Sequence, residues 1–456
     1  MNLGSGVGLI VPKRRALGWR DGMFLSLIAA MPLLASPPMA TSIFGIDSLR
    51  LYNILPALAL IAFVTGSRIL PNNDRLERNA FYAFLGYALF VACIFARSVP
   101  NLPAFHATWP KFFPVSVRKY AMTDFLLPIT TACSFLYVLR RMSSAEGIAL
   151  TVDAIVIALF AVSTVVMLAI AYDPAPLFST DPGRRAILQL VNDTLGMHYN
   201  AIGTILATAA PLLLYMALKR GSFWALTYGL ALAAVLVTKS RTGLFTFVGI
   251  SAVTMIVLGR ARTLLASGPV LGAAALLILG PVLISLVTIG FTQKSGISLW
   301  LLLSGRETVV WLPVIFEWSR DPFLLFFGAG FHGIVNSTLI DSGATGFVTA
   351  QAHNLYLEFF LDNGIILFVA FLAAIGAWLV WAWRLGKRVQ SQLYWSLYLC
   401  LASFLISGLS GRLYYPDIEN YLMFPIMATL INVARLKLQQ DPSFGARGTT
   451  RRDRRN

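Results

Sequence analysis

The sequence predicts an all-α polytopic membrane protein of about twelve transmembrane helices, with one large outer loop that carries short helices. Three observations predict it. Hydrophobic residues make up 57% of the 456 residues and charged residues 12%, whereas soluble domains carry about 25% charged residues. The mean hydropathy is +0.73, so the chain cannot cover itself with a water-facing surface. Apolar runs near the roughly 20 residues that cross a bilayer core recur along the whole length. Soluble α/β enzymes, disordered chains and secreted disulfide scaffolds are thereby excluded.

The net charge of +16 does not point to nucleic acid, because of where the basic residues fall. They cluster at Lys13, Arg14 and Arg15, at Arg140 and Arg141, at Lys387 and Arg388, and at Arg451, Arg452, Arg454 and Arg455. Short basic runs that flank apolar stretches mark the cytoplasmic ends of spans. Cys93, Cys133 and Cys400 lie inside apolar stretches without CxxC spacing, so they read as small core side chains. No cleavable signal is expected, because the first apolar run lacks a clear cleavage site and many spans follow.

Between the charged breaks the predicted spans are 22–40, 48–67, 79–96, 120–139, 149–171, 199–218, 222–238, 242–258, 264–290, 365–383, 392–410 and 418–434. An even number of spans puts both termini on one side, and the basic clusters make that side cytoplasmic. Arg97, Lys111, Arg118 and Lys119 run against the rule, in an outer connection. The chain divides into a cytoplasmic N-terminal segment (1–21), an N-terminal transmembrane bundle (22–198), a second transmembrane segment (199–290), the large outer loop (291–364), C-terminal transmembrane helices (365–434) and a basic cytoplasmic tail (435–456).

The outer connections are 97–119, 173–198 and 291–364, and long loops in an otherwise economical chain usually carry function. Within the longest, Gly305 to Arg320 reads as a helix broken or kinked at Pro313, ended by Asp321-Pro322. Residues 351–361 read as a short amphipathic helix, its polar stripe formed by Asn354, Glu358 and Asp362 at spacings of four. Asn363-Gly364 then turns the chain into the next span.

This face offers arginines and histidines. Arg241 sits in the tight hairpin Lys239-Ser240-Arg241-Thr242-Gly243, Arg306 follows Ser304-Gly305, and His353 stands at the head of the amphipathic helix. Taken singly, each arginine reads as a snorkelling residue that binds lipid phosphate, and His353 as a cap. Trp311 and Trp318 read either as platforms for sugar rings or as interfacial anchors. No HExxH, Walker loop or metal-spaced acidic cluster is present, so neither a metal site nor a cofactor is expected. Permanently charged guanidinium forks suit phosphate oxygens without a metal.

Four stretches in order carry a resemblance. His198-Tyr199-Asn200-Ala201-Ile202-Gly203 resembles the H-K-N-x-L-G span start of bacterial polysaccharide polymerases. Thr238-Lys239-Ser240-Arg241-Thr242-Gly243 is similar to the S-R-G/T signature of the O-antigen ligase family. Ser304-Gly305-Arg306 with Trp311, Pro322 and Gly328-Ala329-Gly330 resembles that family's G-R…W…P…G-x-G. His353-Asn354, nine residues and Gly364 resemble its H-N/S/Q-x9-G-x-x-G, with Leu367 in place of the last glycine. The likeness covers about 200–370.

The resemblance implies a membrane C-type glycosyltransferase whose large loop is periplasmic, in the bacterial inner membrane. Its donor would be an undecaprenyl-diphosphate-linked glycan. Its acceptor would be lipid A–core oligosaccharide for a ligase, or a lipid-linked glycan for an O-antigen or exopolysaccharide polymerase, where a chain-length regulator is a further partner. By the same resemblance Arg241 and Arg306 would hold the diphosphate, and His353 would activate the acceptor hydroxyl. Asn354, Trp311, His198 and Asn200 are the expected substrate contacts, with membrane lipids around them and no nucleic acid. The rival class is a secondary transporter, which needs acids within the spans and broken helices in matching halves. Asp153 and Asp124 come nearest to meeting that need.

Overall fold

A computed structural model of the protein describes residues 18–34, 75–99, 103, 127–175, 185–195, 199–238, 240–259, 311–330, 333–338, 352, 354–410 and 421–440, with the backbone alone at Arg241 and a few other helix positions. No strand occurs among the described residues. The helices are α1 (Trp19–Leu34), α2 (Arg75–Ser98), α3 (Leu127–Arg141), α4 (Ala145–Tyr172), α5 (Arg185–Leu195), α6 (Tyr199–Arg220), α7 (Ser222–Val237), α8 (Arg241–Val257), α9 (Leu312–Arg320), α10 (Pro322–Phe327), α11 (Leu355–Val389), α12 (Gln392–Ser407) and α13 (Met423–Gln440). Four of them, α2, α4, α6 and α11, are long and apolar enough to cross a membrane. Helices occupy ten of the twelve apolar stretches read from the sequence; the other two, 48–67 and 264–290, lie outside the described residues.

Helix α6 is the axis, buried without a break from Ala201 to Leu214. Its run of Ala, Gly and Thr explains why. Apolar helices in lipid gain little by hiding apolar surface from one another, so they associate where small side chains let backbones approach. Pro211 lies inside α6 and removes the N–H that would bond the Ala207 carbonyl four residues earlier. Ser403 of α12 supplies the replacement, its Oγ donating to Ala207 O at 2.8 Å. Ser403 meets Ala207 while Cys400 meets Leu212, so α12 runs antiparallel to α6 and its end lies beside the start of α6.

That end, where α6 and α8 begin and α12 finishes, is called apical. At the opposite, basal end, charges lock helices together. Asp21 of α1 accepts from Tyr137 Oη at 2.8 Å and pairs with Arg141 at 3.4 Å. Glu77 of α2 pairs with Arg140 at 3.2 Å and with Arg435 of α13 at 3.5 Å. Arg140 and Arg141 close α3 and are also cross-links: the Arg140 side chain is buried against Glu77, while Arg141 stays exposed beside Asp21. Asp153 is likewise paired, with Arg220 at the basal end of α6, rather than standing alone within a span as transport would require. Asp124 lies outside the described residues.

One local expectation changes. Residues 185–195, expected within a loop, form helix α5. Pro313 lies in the first turn of α9, where a missing N–H costs nothing; the part of the expected 305–320 helix before Trp311 lies outside the described residues. Asp321-Pro322 does end α9, and it also begins α10: the Asp321 carboxylate accepts from Phe323 N at 2.8 Å and Leu324 N at 3.3 Å. Gly364 breaks α11 with φ 73 and ψ 176, so a short helix, 355–363, precedes the long apolar one from 365 onward.

Candidate functional site

The apical end brings the recognisable segments together in two pairs. The first pair joins the starts of α6 and α8. Thr238 closes α7, its Oγ1 donating to Val235 O at 2.8 Å, and Ser240 caps α8 by accepting from Gly243 N at 3.3 Å. Two hydroxyl caps one residue apart are what allow so short a hairpin. A Cβ on Gly243 would lie 2.7 Å from the carbonyl carbon of Gly203, and one on Gly203 would lie 2.6 Å from Ser240 Cβ. The glycines of the first two motifs therefore exist for each other: they let two backbones touch.

Helices α6 and α8 both begin at this contact and run towards the basal end. Their macrodipoles are parallel, with positive ends side by side, an arrangement relieved by an anion at the shared end. Arg241 is the first residue of α8, and Asn200 lies in the first turn of α6, half-buried. Arg306, His198, His332 and His353 lie outside the described residues, as does the side chain of Arg241.

The second pair wraps the segment 311–338 around the short helix 355–363. Ala329 N donates to Leu361 O and Gly330 N to Asp362 O, each at 2.9 Å, while Gly333 N donates to Asp362 Oδ1 at 2.7 Å. Gly328 has φ 69, and a side chain there would strike the backbone of Asp362 and Asn363; a side chain on Gly364 would strike that of Phe326. Both glycines are needed twice over, for a left-handed backbone and for contact. Arg97, the cation that ran against the charge rule, donates from α2 to the carbonyls of Phe327 and Gly328. It satisfies the open C-terminus of α10, which explains a positive charge at this end.

The polar stripe of the short helix faces inward, not towards solvent. Asn354 is 9% exposed, and Glu358 and Asp362 are each 1% exposed. Asn354, not His353, is the helix cap: its Oδ1 accepts from Tyr356 N and Leu357 N, each at 3.0 Å, and its Nδ2 donates to Leu409 O at 3.1 Å. That makes it an anchor for the helix head, tied to the end of α12. A periodicity of four reports which residues share a face and not what covers that face.

Trp318 is fully buried and donates from Nε1 to Leu361 O at 3.3 Å, so it is neither a sugar platform nor an interfacial anchor. Trp311 is half-buried and donates to Ala352 O at 2.8 Å. Glu358 accepts from Ala352 N at 2.5 Å, and burial pushes its carboxyl up to about 7. Spacing flagged Glu358, but no sequence signal gave its contact with residue 352. Among the described residues no three of His, Cys, Asp and Glu converge on one point. On the outside of α9, a cavity of about 370 Å³ is lined by Pro313, Phe316, Glu317, Arg320, Asp321 and Thr338. No protein-family model and no curated protein matches the chain.

Proposed function

We propose that the protein is a metal-independent, inverting glycosyltransferase of the O-antigen ligase and polysaccharide polymerase type. In this reading twelve spans hold the chain in a bacterial inner membrane, both termini are cytoplasmic, and the apical end is the periplasmic face. One observation carries it. The short motifs that resemble this family meet in space pair by pair, the 198–203 stretch with the 238–243 stretch through Gly203 and Gly243, and the 322–330 stretch with the 354–364 stretch through Gly328 and Gly364. Chance matches scattered over 160 residues have no reason to pack against one another at one end of the bundle.

The chemistry follows from the residues. The donor's diphosphate binds at the paired starts of α6 and α8, where helix dipoles and Arg241 favour negative charge, with Arg306 as a second guanidinium. The acceptor hydroxyl oxygen attacks the anomeric carbon, the bond from that carbon to phosphate oxygen breaks, and undecaprenyl diphosphate leaves with the electron pair. Fixed positive groups lower the energy of that charge as it develops. His353 takes the hydroxyl proton. A single displacement inverts the anomeric centre. The acceptor is lipid A–core oligosaccharide in a ligase and a lipid-linked glycan in a polymerase.

The test is direct. Purified protein in liposomes, given undecaprenyl-diphosphate-linked glycan and each acceptor in turn, should yield a product of inverted linkage and free undecaprenyl diphosphate, with chelator present. Absence of transfer to either acceptor, or labelling of cysteines at 241, 306 and 353 from the cytoplasmic side alone, would overturn the reading.

A further inference from the structure

Glu358 stands out as a buried acid that no ion pair among the described residues explains. It is 1% exposed. One carboxyl oxygen, Oε2, accepts from Ala352 N at 2.5 Å, while Oε1 is buried with no partner among the described residues. An orphaned polar atom in a packed interior costs stability, and a leucine would fill the same space without that cost. What the acid does achieve is a hold on Ala352. Trp311 grips the same residue by its carbonyl, its Nε1 donating to Ala352 O at 2.8 Å. Ala352 is itself 1% exposed, and its carbonyl is half of the peptide unit that joins it to His353.

The helix that carries Glu358 cannot slide. Its head is tied to α12 through Asn354 and Leu409 O, and Tyr356 Oη donates to Leu405 O at 2.8 Å. Its tail is gripped by Ala329, Gly330 and Gly333. Glu358 therefore holds Ala352 from a rigid platform.

We propose that Glu358 and Trp311 are positioning residues for the transfer reaction, clamping the backbone of Ala352, the residue that precedes His353. The proposal rests on the glycosyltransferase reading above, with His353 as its base. The carboxyl, raised to about 7 by burial, is protonated in about half of the molecules at neutral pH and in most of them below it. Oε2 then acts as a carbonyl-like acceptor, a role that glutamine reproduces and leucine does not.

Full-length protein in liposomes, with undecaprenyl-diphosphate-linked glycan as the probe, tests this through donor binding and single-turnover transfer. Glu358→Leu should slow transfer roughly ten- to a hundredfold, the scale of an ångström-level misplacement, while donor binding stays within about twofold. Glu358→Gln should restore transfer to within a fewfold of wild type. In a His353→Ala background, Glu358→Leu should lower the residual rate no further, because its effect is exerted through His353. Equal losses in both backgrounds, or donor binding that weakens in step with the rate, would show a merely structural acid and overturn the proposal. Should Glu358→Leu not fold, Trp311→Phe keeps the ring, loses only the bond to Ala352 O, and supports the same comparison. Failure of wild-type protein to transfer at all would remove the parent reading and this proposal together. Wild-type transfer abolished by His353→Ala but indifferent to both clamp variants would remove the clamp alone.

Discussion

The two ends of the bundle use charged residues differently. At the basal end acids meet arginines across helices: Asp21 with Arg141, Glu77 with Arg140 and Arg435, Asp153 with Arg220. At the apical end the carboxylates of Asp321, Glu317, Glu358 and Asp362 bond N–H groups and hydroxyls, with Asp362 also close enough to Arg97 to act on its charge. Asp321 caps α10, Glu317 accepts from Ser337 Oγ at 2.5 Å and Thr338 N at 2.7 Å, Glu358 holds Ala352, and Asp362 holds Gly333. Cross-linking acids cancel arginine charge and fix helices. Acids that shape loops leave positive helix starts free to act on a ligand. The basal end is cross-linked by ion pairs, and the apical end is where the proposed chemistry takes place.

That contrast breaks most sharply on His353. His353→Ala should lower single-turnover transfer by about 10²–10⁴, the usual scale for a lost general base, with donor binding and thermal stability unchanged. Arg306→Ala should instead weaken donor binding about ten- to a hundredfold, with Arg306→Lys a partial rescue because an ammonium lacks the planar fork. Donor binding measured beside transfer separates the two, and interchangeable phenotypes would merge the roles.

The basal counterpart is Arg140→Ala. It leaves Glu77 buried beside Arg435 without the Arg140 guanidinium. A cost of about 3 kcal/mol is expected, the low end for breaking a buried pair, read as a drop in detergent-solubilised melting temperature. Transfer per folded molecule should not change. A loss of transfer without a loss of stability would erase the distinction between the ends.

Gly243→Ala probes the apical backbone contact. A Cβ 2.7 Å from Gly203 forces α6 and α8 apart, an overpacking cost of about 1–3 kcal/mol. Because the forced separation lies at the paired helix starts, donor affinity should fall as well. Stability that falls alone would place the anion elsewhere.

The smallest effect belongs to Ser403. Ser403→Ala should cost about 0.6–1.7 kcal/mol, the range of hydrogen bonds between membrane helices. Little of that cost should remain when Pro211→Ala restores the α6 hydrogen bond to Ala207 O. Equal costs in both backgrounds would mean that Ser403 acts by packing alone.

The boundaries of most helices, the breaks at Asp321 and Gly364, and the short motifs themselves could be read from the sequence, because hydropathy, proline, glycine and caps act over a few residues. The stripe Asn354, Glu358 and Asp362 could be read as one face, but whether water or protein covers a face depends on elements far away in the chain. The same limit hid the partners of Arg140 and Arg141, which come from α2 and α1, and the task of Arg97, which lies more than 200 residues from Phe327 and Gly328. Pro211 announced an unbonded carbonyl at Ala207, yet nothing local named Ser403. By itself, then, the sequence determined the helices, the lipid-facing character and the positions of the motif glycines, all consequences of short-range chemistry. Only the tertiary structure decided that Gly203 meets Gly243, that Gly328 and Gly364 pack into one knot, and that Glu358 reaches Ala352. Those are contacts between backbones and side chains that sequence spacing cannot measure.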